Sequence, residues 1–450
     1  MMTLAEAVAL LGGRRSGPDA RFSSVSTDSR SISAGALFVA LRGERFDGHA
    51  FLKDAAAANA AAALVDRSYG GEFPLPVGIV EDTRLALGTL ARHWRARFPT
   101  SLIAVAGSNG KTTVKEMLAS ILRAHAGEAG VLATAGNLNN DIGLPLTLLR
   151  MRPEHRWCAI ELGMNHKGEI AYLAGIAQPT IALVNNAQRE HLEFMRSVQE
   201  VAAENASVYD ALPSDGTAIV NADDAQADFF RGRAAGRRVV DFGIEGTPAI
   251  GARYELKPLS SDLALRTPGG PADATLAIPG LHNVRNALAA AACAFAAGVP
   301  PAAIGAGLTA FRPYTGRLQV KQTRSGATLI DDTYNANPDS VRAAIDVLAS
   351  CPAPTVLVLG DMGEVGEQGR DFHSEVGAYA RSKGIGHLLA LGEATRDAVQ
   401  AFGAGARHFD RVDELVSNVN GKSILVKGSR FMKMERVVAA LTGAAAEGGH

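Results

Sequence analysis

The run Gly107-Ser108-Asn109-Gly110-Lys111-Thr112-Thr113 lies between an apolar stretch, Ser101 to Ala106, and a helical pattern, Val114 to Leu122. An apolar strand that ends in a glycine turn and opens a helix is the sequence form of a phosphate loop. Gly107 and Gly110 reach backbone conformations closed to other residues, which lets several amide NH groups converge on one anion. The helix N-terminus adds the positive end of its dipole, Lys111 can neutralise β- and γ-phosphate charge, and the Thr112 hydroxyl can ligate Mg²⁺. Gly107 through Thr113 is therefore a candidate ATP site. The spacing is unusual, because Val105 stands where the common form of the loop has its first glycine. The result is a shortened G-x-x-G-K-T loop, unlike that of a standard GTPase or kinase.

The pattern around the loop sets the fold class, α/β with three domains. Leu102 to Ala106, Cys158 to Leu162, Ile181 to Asn185 and Ala218 to Asn221 are short apolar runs separated by helical segments, the habit of a parallel sheet covered on both faces. Polar, β-rich segments with Gly and Pro turns from about 250 to 278 read as an antiparallel extension, followed by an Ala-rich helix over 282–298. Strand cores at Thr355 to Leu359, Leu388 to Leu391 and Ile424 to Val426 belong to a second alternating series, a doubly wound, Rossmann-like C-terminal domain. Before residue 83, β-like runs at Ala36 to Leu41 and Ala62 to Val65, with an Ala-rich helix over about 51–61, form a small α/β domain. A short amphipathic helix is expected at the start. The expected domains are 1–82, 83–312 and 313–450, with fraying at the GAAAEGGH end.

Composition removes several function classes. The 45 basic residues balance 46 acidic ones, so no global field favours nucleic acid or an anionic membrane. Cys158, Cys293 and Cys351 are odd in number and sit in apolar runs, arguing against disulfides and thiolate metal sites and for a reducing compartment. The start lacks the form of a secretory signal, and Ala287 to Val299 is too short to span a bilayer. A cytoplasmic protein without membrane insertion is expected.

Other polar groups fall at strand ends, where ligands collect in parallel sheets. Glu161 closes one strand and is a candidate Mg²⁺ ligand, although read alone it is equally an edge glutamate. His191 follows another strand, where a histidine is commonly a polar loop residue. Asn283 and Asn286 share one helix face and can read an adenine edge, or Asn283 can cap the helix. Asp331 to Ser340 is a strand exit denser in hydrogen-bonding groups than a turn requires. Lys427-Gly428-Ser429-Arg430 suits a phosphate or carboxylate, or is a surface turn with two solvated cations.

Taken together these blocks resemble the Mur ligase family. The motifs are STDSR (26–30), GALFVALRGERFDGHAF (35–51), GSNGKTTVKEM (107–117), TAGNLNNDIGLPLTLL (134–149), ELGMNHKGEI (161–170), NNAQREHLE (185–193), GLHNVRNALAAAA (280–292), DDTYNANPDS (331–340), GDMGEVG (360–366) and LVKGSR (425–430). The resemblance covers nearly the whole chain and is strongest to the members that add D-alanyl-D-alanine to UDP-N-acetylmuramoyl-tripeptide. It implies an N-terminal domain that grips the UDP-sugar, a central ATPase domain, and a C-terminal domain that closes over the site. On that basis Ser29, Arg30, Arg45, Phe46, Asp47 and His49 belong to the uridine nucleotide pocket, extended by Asn137, Asn139 and Asn140. Lys111, Glu161 and His191 are the expected catalytic residues, and Thr112, Glu161 and His191 the magnesium ligands. Asn283, Asn286, Arg317 and Asp332 are expected to contact ATP. Tyr334, Asn335, Lys427 and Arg430 are expected to contact substrate.

The implied chemistry is carboxylate activation: phosphoryl transfer makes an acyl phosphate, the dipeptide amine attacks it, and phosphate leaves, while closure excludes water. A monomer acting on small-molecule substrates, with ATP and Mg²⁺ as cofactors, is expected. Whether the third residue of the tripeptide is diaminopimelate or lysine is open. Two rival readings lack their marks, since there is no Asp-Asn-Pro-Arg motif of the diaminopimelate-adding members and no Asn-Lys-x-Asp element of a regulatory NTPase. One departure concerns the helix after His191, where many members carry a lysine that becomes carbamylated. There is no lysine here between Lys167 and Lys257, and the aligned position is Asn205. Either Glu204 or Asn205 replaces the carbamate or the protein does without it, and bicarbonate is not expected to stimulate.

Overall fold

The computed structural model describes residues 1–43 and 46–444. Arg45 and residues 445–450, most of the end expected to fray, lie outside them. The central sheet has six strands, all parallel, in the order Arg238–Phe242, Thr217–Asn221, Ile181–Val184, Ser101–Ala106, Trp157–Glu161, Val131–Ala133. From Leu102 to Ala106 every side chain is fully buried, as expected when helices cover both faces of a strand. The phosphate-loop strand lies between Ile181–Val184 and Trp157–Glu161, so the chain winds away to both sides of it. A crevice opens at such a point, beyond the carboxyl ends of the strands. The antiparallel extension is three strands, Gly251–Leu256, Ser261–Thr267 and Gly270–Leu276.

A second six-stranded sheet, Gln319–Gln322, Thr328–Asp332, Ser423–Lys427, Thr355–Gly360, His387–Leu391, Ala406–Phe409, is parallel except at its first pair. A five-stranded N-terminal sheet is likewise parallel except at one edge. The α/β class and the three-part architecture read from the sequence therefore hold. The first helix forms as expected, Leu4–Leu11, closed at its start by a Thr3–Glu6 capping box. The helix expected over 51–61 is shorter, Leu52–Ala57. Asn59 takes a left-handed conformation (φ 62°) that turns the chain into the strand Ala62–Asp66. No described helix is long and apolar enough to cross a membrane.

The helix Thr83–Arg95, capped by the Asp82 carboxylate, joins the N-terminal and central sheets. Leu87, Leu90, Ala91 and Trp94 share one apolar cluster with Leu37 and Leu64 on one side and Leu102 and Ile160 on the other. A second cluster runs from the opposite face of the central sheet through Ile278 and Leu318 to Ile330 and Leu357 of the C-terminal sheet. Arg95 is buried beside the first cluster and donates to the carbonyls of Ala177, Phe98, Thr100 and Gln178. Burial lowers its pKa, and main-chain carbonyls from the end of the helix Glu169–Ala177 and from the loop after its own helix take the place of an acidic partner. Arg95→Leu is expected to cost about 2–3 kcal/mol, because those carbonyls lose a charged donor. Urea denaturation checks this, and an unchanged midpoint would contradict it.

Candidate active site

Gly107 (φ 130°) and Gly110 (φ 83°) put the phosphate loop into left-handed backbone. A Cβ at Gly110 would stand 2.3 Å from Asn286 Oδ1 and one at Gly107 3.0 Å from the Asn185 amide nitrogen, so glycine is required there on steric grounds as well. The helix Lys111–Ala126 begins at Gly110 with no side chain capping it, which leaves its first amides aimed into the crevice. Lys111 Nζ donates to the carbonyls of Gly107 (2.6 Å) and Ser108 (2.9 Å) and pairs with Glu190 at 3.2 Å. The loop and its lysine are thus preorganised around a point where an anion would meet both.

Glu161 is buried at the end of its strand. Its Oε1 accepts from Thr112 Oγ1 (3.2 Å) and Asn139 Nδ2 (2.7 Å), while Oε2 is buried without a partner. An orphaned carboxylate oxygen beside a hydroxyl at the phosphate loop fits Mg²⁺, a hard cation bound through one or two carboxylates and substrate phosphates. Among the described residues, no cluster of three or more His, Cys, Asp or Glu side chains is ready to hold a metal unaided. Arg317 Nη2 lies 3.4 Å from Thr112 Oγ1, and its guanidinium stacks 4.0 Å from the Tyr334 ring.

The segment 185–191 forms the opposite wall. Ser108 Oγ accepts from the Gln188 amide and the Asp224 carboxylate from the Ala187 amide. Arg189 reaches across to the C-terminal part, bonding Asp339 (2.6 Å) and Glu375 (2.7 Å) and packing over Phe372. These contacts hold His191 with Nε2 3.5 Å from Glu190 and Nδ1 2.7 Å from Glu364. Burial works against protonation of His191, but the two carboxylates outweigh it and raise its pKa to about 9. As an imidazolium it neutralises both acids; metal ligation requires the neutral ring.

Asparagines line the far end. Asn286 donates to Asn283 Oδ1 (3.0 Å), Asn283 to the Pro279 carbonyl (2.7 Å), and Asn185 to both Asn286 Oδ1 and the Asn109 carbonyl. The helix that carries Asn283 is entered at Gly280 without a side-chain cap, so Asn283 is not its cap. Asp332 accepts from the Leu318 amide and pairs with Lys427 Nζ at 2.5 Å, and Lys427 also donates to the Asn335 carbonyl. Burial lowers the Lys427 pKa against the pull of Asp332.

One cleft of about 860 Å³ gathers these groups. Ser108 to Thr113, Asn139, Asn140, Glu161, His191, Asn283, Asn286, Arg317, Asp332, Tyr334, Asn335 and Lys427 line it. Gly107 is not among the lining residues. Asn137 and Arg430 are not in the lining, and Arg430 pairs with Glu435. The N-terminal residues stand apart from the cleft. Arg30 pairs with Asp28 in its own turn, and Phe46 is 57% exposed. Asp47 caps the turn Gly48–Phe51, while the His49 ring is buried between Asp47 and the Asp66 amide. Ser29 is half-buried, and Arg45 lies outside the described residues. Glu190, Glu364, Asn185 and Arg84 also line the cleft and were not singled out by sequence.

Three family models match the chain: Mur ligase family, catalytic domain (residues 21–95); Mur ligase middle domain (105–294); and Mur ligase, glutamate ligase domain (316–430). The UDP-N-acetylmuramoyl-tripeptide--D-alanyl-D-alanine ligase of Escherichia coli K12 is 41% identical over 448 residues, 98% of each chain. The chain belongs to the Mur ligase family. The ligase of the same name from Bacillus subtilis is 36% identical, with 92% of each chain covered. Among solved structures, MurF from Acinetobacter baumannii superposes with a TM-score of 0.91 at 34% identity, covering 98% of this chain and 99% of that one.

Within this Mur ligase the two candidates for the missing lysine have other partners. Asn205 is buried, accepts the Gly107 amide at 2.7 Å and donates to the Val201 carbonyl. Glu204 accepts the amides of Gly168 and Ile170 and so caps the helix Glu169–Ala177.

Proposed function

We infer that the protein is an ATP-dependent, ADP-forming ligase that joins D-alanyl-D-alanine to UDP-N-acetylmuramoyl-tripeptide, the step that yields the pentapeptide precursor of peptidoglycan. The supporting observation is a full-length match to ligases of that name, in a chain whose phosphate-loop lysine and orphaned Glu161 oxygen open into one cleft. An acyl transfer needs more than a nucleotide site, and this cleft has it. Its walls come from the central and C-terminal parts, so a carboxylate, a triphosphate and an amine can meet away from water.

Each residue has a role in this reading. The loop amides and Lys111 grip the triphosphate and take up charge that develops on the transferred phosphoryl group. Asn283 and Asn286 face the adenine and Asp332 and Arg317 the rest of the nucleotide, while Tyr334, Asn335 and Lys427 face the acceptor side. Thr112 and Glu161, with His191 in its neutral form, would hold Mg²⁺, which supplies further charge neutralisation at the phosphates. Ser29, Arg30, Arg45, Phe46, Asp47, His49, Asn137, Asn139, Asn140 and Arg430 complete the UDP-sugar and substrate contacts; for His49, buried as it is, the role is to shape the pocket. The domains are 1–82, 83–312 and 313–450, and the protein acts as a cytoplasmic monomer.

The test supplies ATP, Mg²⁺, UDP-N-acetylmuramoyl-tripeptide and D-alanyl-D-alanine and follows phosphate release and product mass. A product heavier by one dipeptide less the elements of water is expected. Phosphate release unchanged when single amino acids replace the dipeptide would contradict the reading. Asn205 already serves the phosphate loop, so bicarbonate is expected to leave the rate unchanged. Asn205→Ala is expected to slow turnover about tenfold by freeing the Gly107 amide. Stimulation by bicarbonate, or full activity of the variant, would remove Asn205 from this role.

A further inference from the structure

Two non-glycine residues hold left-handed backbone and face each other across the cleft: His191, φ 51°, at the start of the short helix Leu192–Met195, and Glu364, φ 59°, in the loop after the strand Thr355–Gly360. Such backbone is strained and persists only where the surroundings impose it, which is commonly at a functional site. The chain around each residue is held by neighbouring contacts. The loop that bears Glu364 is fixed by the Met362 amide on His373 Nε2 and the Gly363 amide on Ser429 Oγ. The backbone of Glu193 lies against Gly366, two residues on. His191 is braced through Gln188 and Arg189, as described above. The two side chains meet at 2.7 Å, from parts of the chain joined by no element.

We propose that Glu364 is a positioning residue for His191. Its carboxylate, brought in by the C-terminal part, takes the Nδ1 side of the ring and leaves Nε2 facing Glu190, which in turn pairs with Lys111. The series Glu364, His191, Glu190, Lys111 thus runs from the C-terminal loop to the phosphate loop. A carboxylate on one imidazole nitrogen fixes the ring and sets which nitrogen is presented on the other side. The histidine is therefore oriented only when the C-terminal part is docked, which ties assembly of the phosphoryl-transfer site to closure. The Glu364 approach is off the line of the ring N–H, since Nδ1 has no hydrogen-bond partner of good geometry. The carboxylate is half-exposed and so has room to align with the ring nitrogen. The inference rests on the reading that His191 serves phosphoryl transfer.

The test compares Glu364→Ala, Glu364→Gln, Glu364→Gly, His191→Ala and the double alanine variant. Loss of a carboxylate that orients a working histidine typically costs 10- to 100-fold. For Glu364→Ala, kcat is expected to fall about twentyfold, with KM for ATP and both other substrates within about twofold. Glu364→Gln, which keeps an acceptor oxygen, is expected to recover part of that loss. Glu364→Gly relieves the left-handed strain, so its melting midpoint should be equal to or above that of the parent while kcat is still reduced. Small-angle scattering should give the same radius of gyration for Glu364→Ala as for the parent, because Arg189 still joins the two parts. The double variant should be no slower than His191→Ala. Full kcat in Glu364→Ala, an enlarged radius of gyration that accounts for its loss, or losses that multiply in the double variant would each overturn the proposal. Full activity of His191→Ala would overturn the underlying role of the histidine and the proposal with it, a result distinct from failure of Glu364 alone.

Discussion

Replacing Lys111 by alanine is expected to lower kcat by about a thousandfold or more while leaving the affinity for UDP-N-acetylmuramoyl-tripeptide nearly unchanged. The size follows from the geometry. Nζ is the one side-chain cation on the phosphate loop itself, seated on the Gly107 and Ser108 carbonyls at 2.6 and 2.9 Å. A preorganised donor aimed at developing charge is worth on the order of 100- to 1000-fold, and a cation on a transferring phosphoryl group more. On the proposed reading the uridine nucleotide is held by the N-terminal residues, and those stand apart from the cleft. Calorimetric titration with UDP-N-acetylmuramoyl-tripeptide separates the two effects. Loss of both binding and turnover would mean that the proposed division between the sugar-binding and ATP-binding parts is wrong.

Alanine at Arg189 is expected to act on closure. One guanidinium holds Asp339 and Glu375, with Arg342 on the far side of Glu375, so its loss leaves two carboxylates facing each other at the seam. The pairs are about one-quarter to one-third exposed, so solvent screens them, and the expected loss is about 2 kcal/mol, or near thirtyfold in kcat/KM. A larger radius of gyration should accompany it. The sign of the pH dependence is fixed by Glu375, whose carboxyl is held down at about 2 chiefly by Arg189, against burial and with help from Arg342. A depressed carboxylate stabilises above its unfolded pKa, and that contribution disappears only as pH falls through about 2. The Arg189–Glu375 contribution to closure is therefore expected to be flat from about pH 6 to pH 9, while the His191–Glu364 contact, made by a histidine whose pKa is raised to about 9, weakens as pH rises through about 9. An Arg189→Ala protein as compact and as active as its parent would show that the seam is held elsewhere.

Much of this structure was legible in the sequence because it rests on local signals. The strand Ser101–Ala106 is an unbroken apolar run, and the phosphate loop follows it at once. The antiparallel extension announces itself by its polar alternation. The helix Thr83–Arg95, which was not singled out by sequence, carries local signals in the Asp82 cap and the spacing of Leu87, Leu90, Ala91 and Trp94, but it bridges the sheets instead of belonging to either. The parts that could not be read depend on long-range placement. Asn205 touches Gly107 across 98 positions of chain, and Arg189 finds Glu375 across 186. Glu364 carries no local mark beyond its place in GDMGEVG, and its partner becomes visible only when two sheets are docked. His49 illustrates the converse. As a motif residue it reads as a ligand contact, and in the fold its ring is spent on Asp47 and the Asp66 amide.

The central claim is that the cleft phosphorylates a carboxylate. The most direct measurement uses UDP-N-acetylmuramoyl-tripeptide labelled with ¹⁸O in its terminal carboxylate, turned over with ATP, Mg²⁺ and D-alanyl-D-alanine. Attack by the amine on an acyl phosphate must leave one carboxylate oxygen on the departing phosphate, so one ¹⁸O per turnover is expected in inorganic phosphate. Unlabelled phosphate, with the ligated product still formed, would contradict that chemistry.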